Sequence, residues 1–62
     1  MVVLREERLA EVLNVSRGTL RKIRMEDESF PKARNIIGDV YGWLSDDVDR
    51  WLESRPVSDR AY

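Results

Sequence analysis

From Glu6 onward the apolar positions recur at helical spacing. Leu9, Val12 and Leu13 fall at i, i+3 and i+4, which predicts one face of an α-helix. Glu6 and Glu7 occupy its first turn, where the helix dipole favours acids. Ahead of it, Val2-Val3-Leu4 is short and β-branched, which predicts a brief edge strand. Asn14 ends the helix, because asparagine tolerates the left-handed backbone that a sharp exit needs. Val15 is expected to pack inward, and Ser16 to cap a second helix with its hydroxyl. In that second helix Leu20 and Ile23 face the first. Arg17, Gly18, Arg21, Lys22 and Met25 take the opposite face, with Thr19 and Arg24 on the flanks. Two helices joined this tightly cross steeply, which is helix-turn-helix geometry.

Beyond the second helix the pattern changes period. Glu26-Asp27-Glu28-Ser29 reads as an acidic loop, and Phe30-Pro31 as extended chain, since proline drives its predecessor out of the helical region. In "ARNIIGDVYGW" the pair Gly38-Asp39 separates two apolar runs, which predicts a hairpin with a type II′ turn. Ser45 is expected to cap a third helix, with Asp46 and Asp47 in its first turn. Val48, Trp51 and Leu52 form its apolar stripe, Arg55 sits near its negative end and Pro56 stops it. Both Trp43 and Trp51 are expected in the core, because so small a domain needs large side chains to fill its interior. The predicted fold is a small α+β winged helix-turn-helix: helix-turn-helix, β-hairpin wing, C-terminal helix. It covers residues 1–55, followed by a disordered tail at 56–62.

Length and composition narrow the chemistry. Sixty-two residues make one small domain, burying only about 60% of the surface that the unfolded chain exposes. The chain lacks cysteine and histidine, so neither disulfides nor zinc-finger logic apply. Its first residues reach charge too soon for a signal peptide, and no apolar run approaches the roughly 20 residues of a membrane span. These features predict a cytoplasmic protein with no membrane role, no cofactor, no metal and no small-molecule ligand.

The net charge of −1 hides a division. Residues 1–37 hold eight Lys/Arg against six Asp/Glu, and residues 38–62 hold three against six. The densest basic stretch, with four cations and no acid, runs from Ser16 to Arg24. Clustered cations on an exposed helix that follows a tight helix break suit DNA, where such a helix enters the major groove. A solvated charged face is the plainer reading, but an all-positive face with Gly18 and Met25 among the charges favours contact. The recognition helix is placed at 16–26. Arg17 and Arg21, one turn apart, suit guanine or phosphate; Lys22, Arg24 and the amides near Ser16 suit phosphate. On the wing, Lys32, Arg34 and Asn35 are the polar candidates, while Asp39 at the tip would repel phosphate. The plainer reading is that the hairpin simply covers the core. Asp46, Asp47 and Asp49 fit helix capping better than catalysis. Without a nucleophile–base pair or a phosphate-binding loop, a non-enzyme is expected. A rival reading keeps the fold but uses Met25 and the aromatic residues in a protein–protein adaptor or antirepressor.

The segments "LREERLAEVLNVSRGTLRKI", "FPKA", "GW" and "DDVDRWLESR" together resemble the AlpA family of phage and mobile-element regulators, grouped with MerR-like excisionases. The similarity runs over about residues 3 to 55, and its tail, "FPK…GW…DVDRWL", is the more specific part. The resemblance implies a winged-helix, sequence-specific binder of double-stranded DNA. It also implies a nucleoid-associated transcriptional regulator or excisionase, the latter bending attachment-site DNA for an integrase without catalysis of its own. Ser16, Arg17, Thr19, Arg21 and Lys22 match the family's recognition helix, and Lys32 to Ile36 its first wing strand. Asn14 stands where glycine is usual, and Asp39 where the wing often carries a basic residue. Glu6 and Glu11, with the acidic third helix, are expected to meet a neighbouring copy or an integrase.

Overall fold

Asn14 takes the left-handed conformation (φ 56°, ψ 45°), and the chain turns there. A computed structural model describes residues 1–58. It runs β1 (Val3–Leu4), α1 (Glu6–Leu13), α2 (Arg17–Glu26), β2 (Arg34–Ile37), β3 (Val40–Leu44) and α3 (Ser45–Ser54). The architecture is α+β: three helices against an antiparallel sheet of order β1-β3-β2.

Local chemistry explains most boundaries. The Ser16 hydroxyl accepts the Thr19 amide at 3.1 Å and caps α2. Gly38 is the turn residue with positive φ (56°) while Asp39 is not, the pattern of a type II′ turn. The Asn35 side-chain amide donates to the Gly38 carbonyl at 2.6 Å and braces that turn from below. Ser45 departs from expectation. Leu44 holds the cap position of α3 and makes no side-chain cap bond. The Ser45 hydroxyl instead accepts the Val2 amide, and the Ser45 amide donates to the Val2 carbonyl, both at 2.8 Å. The arriving strand offers this serine a backbone partner, so it fastens the N-terminal segment and leaves the cap position to Leu44.

The core consists of Leu4, Leu9, Ala10, Leu20, Phe30, Trp43 and Val48, with Leu13, Val15, Ile23 and Trp51 packed against it. Three apolar positions sit differently from the sequence expectation. Val12 is exposed because Leu9, Ala10 and Leu13 carry the inner face of α1, rotating Val12 off it. Leu52 is likewise exposed, leaving Val48 as the buried residue of α3. Trp51 is half-buried: it meets Phe30 edge-on at 4.8 Å and donates its Nε1–H to the Ser29 hydroxyl at 3.2 Å. Phe30 takes the interior place, and Trp51 covers it.

Gly42 lies on the central strand with β1 on one side and β2 on the other. A Cβ there would stand 2.7 Å from Val3 Cγ1 and 3.0 Å from the Leu4 carbonyl oxygen. Gly42→Ala is expected to destabilise by about 1–3 kcal/mol through overpacking, measured as a lower urea midpoint. A midpoint equal to wild type would show that the strands yield freely.

The C-terminal end of α3 is tied to the end of α2. Arg55 Nη1 donates to Asp27 Oδ2 at 2.7 Å, and its guanidinium lies 5.2 Å from the Trp51 ring centre. Hydrogen bonds from Ser29, with help from the Arg55 charge, hold the Asp27 carboxyl below the ordinary carboxylate range. Of the tail read as disordered, residues 56–58 form neither helix nor strand, and residues 59–62 lie outside the described residues. No helix among the described residues is long and apolar enough to cross a membrane.

Candidate nucleic-acid interface

The Ser16 cap fixes where α2 begins, and from there 100° per residue sets the order of side chains around the helix. Opposite Leu20 and Ile23 that order runs Arg24, Arg17, Arg21, Met25, Gly18, Lys22. Three arginines therefore lie on one side of Gly18 and Met25, and Lys22 on the other. Met25 is exposed, and a Cβ at Gly18 would meet only the Ser16 hydroxyl oxygen, at 4.0 Å. Nothing within the described fold requires the bare backbone there. Thr19 is exposed, its hydroxyl accepting that of Ser16 at 2.9 Å, so both hydroxyls serve the cap.

The arginines are gathered by one acid. Arg17 Nη2 donates to Glu6 Oε1 at 3.0 Å and Arg24 Nη1 to Glu6 Oε2 at 3.1 Å, while Arg21 Nη2 stands 3.8 Å from Oε1. The Glu6 side chain is only 14% exposed, against 61% for Arg17 and 64% for Arg21. The hydrogen bond from Arg17, then the charges of Arg21, Arg17 and Arg24, hold the Glu6 carboxyl below its ordinary value in spite of burial. Arg24 is more enclosed, at 32%, with its guanidinium 4.8 Å over the Trp43 ring. One carboxylate cannot neutralise three guanidiniums, so the cluster remains cationic. Its outward faces stay in solvent.

This arrangement changes the expected role of Glu6. It is turned onto the arginines and does not project toward a neighbour. Glu11 is exposed and paired with Arg8 at 2.9 Å. Sequence reading missed Glu6 as an organiser because its partners lie 11 to 18 residues downstream, a separation that no helical period reveals.

The strand candidates divide. Lys32 is exposed and has no ion-pair partner among the described residues. It lines an open groove with Glu6, Arg21, Arg24, Met25 and Tyr41, which Asp27 and Glu28 also border. Arg34 leans the other way, its Nη2 3.6 Å from Asp47 Oδ2, and Arg50 shares that carboxylate. Asn35 has committed its amide to the turn. Lys32 therefore joins the cations of α2, whereas Arg34 and Asn35 serve α3 and the hairpin. Tyr41 is a further missed residue: it meets Trp43 edge-on at 5.5 Å, and strand alternation already places positions 41 and 43 on one face.

Such a surface suits a polyanion: cations on an arc about an open glycine and an exposed methionine, backed by the buried core. Among the described residues, no group of three His, Cys, Asp or Glu is placed to hold a metal ion. Comparisons of the chain with protein-family models, with curated proteins and with solved structures find no match.

Proposed function

We propose that the protein is a sequence-specific binder of double-stranded DNA with a winged helix-turn-helix, in which residues 16–26 enter the major groove. The observation that carries this reading is the arc of Arg17, Arg21, Arg24 and Lys22 on α2, whose three arginines share the one carboxylate of Glu6. An arginine has five N–H donors, so Arg17 can keep its bond to Glu6 and still offer others to a base edge or phosphate. The open backbone at Gly18 lets a DNA strand approach closely. The β2–β3 hairpin acts as the wing; Lys32, just ahead of β2, adds a cation beside those of α2, while Asp39 at the hairpin tip would repel phosphate.

The resemblance to the AlpA family supports a role in a phage or mobile element as a transcriptional regulator or excisionase, acting on the nucleoid in the cytoplasm. A single module of this size covers about 600–1,000 Å² on DNA, so tight binding draws on neighbouring copies or an integrase.

The test is a duplex selected from a random library, followed by titration against salt. Each α2 cation placed on a phosphate is expected to add about −0.9 to the slope of log K against log salt, up to a limit of about −3.6 for all four. No enriched sequence, or binding indifferent to salt, would remove the DNA reading and favour an apolar protein partner.

A further inference from the structure

We propose that Glu6 is a specificity-determining positioning residue, holding Arg17, Arg21 and Arg24 in one fixed fan so that α2 presents oriented donors to DNA. The inference rests on the DNA-binding reading above and adds a role for an acid that would otherwise only weaken it.

Three features set this carboxylate apart. Its two oxygens are divided, Oε1 to Arg17 and Oε2 to Arg24, with Arg21 beside Oε1. It belongs to α1 and is largely covered, so the fan is fixed to the body of the protein and does not swing with α2's own side chains. Arg24 is held a second time by the Trp43 ring. The Glu11–Arg8 pair has none of these properties: both side chains are exposed, and they sit three residues apart on one helix.

The physical consequence concerns discrimination between DNA sequences. A free arginine swings to any phosphate within reach and rewards every duplex alike. A held arginine offers its remaining donors at set positions, so a duplex gains only where its groups match them. One negative charge within the cluster also lowers attraction to duplexes that supply no match.

Glu6→Gln and Glu11→Gln each raise the net charge by one, which makes the second a control for charge alone. Glu6→Gln is expected to tighten binding to a mixed-sequence duplex about two- to fivefold. Its salt slope should steepen by about 0.9 for each arginine released to phosphate. The preference for the library-selected duplex should fall by a similar factor. Glu11→Gln should leave that preference within about twofold of wild type. Equal preferences in the two variants would overturn the role of Glu6 while wild-type binding still stood. Wild type failing to bind either duplex would remove the DNA reading itself. Arginine Nε relaxation in free wild type tests the fan without any variant. Arg17 and Arg24 should be more rigid than Arg5, and equal mobility would overturn the proposal.

Discussion

Trp43→Ala is expected to leave the chain unfolded, or nearly so, at room temperature. Trp43 is 1% exposed and the largest of the fully buried side chains. Its Nε1–H donates to the Pro31 carbonyl at 3.1 Å, tying the segment after α2 to the sheet. Its ring meets Tyr41 and carries the guanidinium of Arg24. Truncating a buried tryptophan costs about 3–5 kcal/mol in lost transfer energy and cavity, and the orphaned carbonyl adds to this. A domain of this length has a total stability of roughly 3–9 kcal/mol, so at the middle of that range the substitution removes most of it. Circular dichroism melting is the measurement. Trp51→Ala should cost less, because Trp51 is half-buried and covers Phe30 from outside. Equal losses from the two substitutions would contradict this division of roles.

The second large effect concerns binding. Replacing both Arg17 and Arg21 by alanine is expected to weaken the selected duplex by about 2–6 kcal/mol, at roughly 1–3 kcal/mol for each arginine. Both side chains are mainly in solvent, and Arg24 still bonds Glu6, so the fold should persist with a little-changed melting curve. The pattern of loss separates two modes of contact. If the arginines read bases, the selected duplex suffers and a mixed-sequence duplex keeps its affinity. If they hold phosphates, both duplexes weaken together and the salt slope flattens by about 0.9 per arginine. Anisotropy titrations of both duplexes at two salt concentrations decide, and wild-type affinity in the double variant would displace α2 as the contact surface.

Local features of the fold were legible in the sequence. Asn14 and Ser16 ended one helix and capped the next, and Gly38-Asp39 marked the turn, because each acts through its own backbone conformation or that of residues close by. Features that depend on a distant segment were not legible. Ser45 looked like a cap and became a fastener for Val2, whose strand arrives from the far end of the chain. Trp51 looked like core by its spacing, yet Phe30 had already filled the interior. For the candidate site, the cations of α2 were evident from helical periodicity. Their common partner was not, since Glu6 on α1 also fits a first-turn acid satisfying the helix dipole. Arg34 and Asn35 appeared equivalent to Lys32 as wing cations or donors, and the third dimension separated them.

The paired hydrogen bonds between Val2 and Ser45 carry a kinetic consequence. They close a loop spanning 43 positions, a span whose entropy must be lost before β1 gains anything from its neighbour. Helices of eight and ten residues are too short to persist alone in water. Neither α1 nor α2 therefore holds its shape outside the packed fold. The fan of arginines, which joins Glu6 of α1 to three residues of α2, exists only once the two helices are packed in the fold.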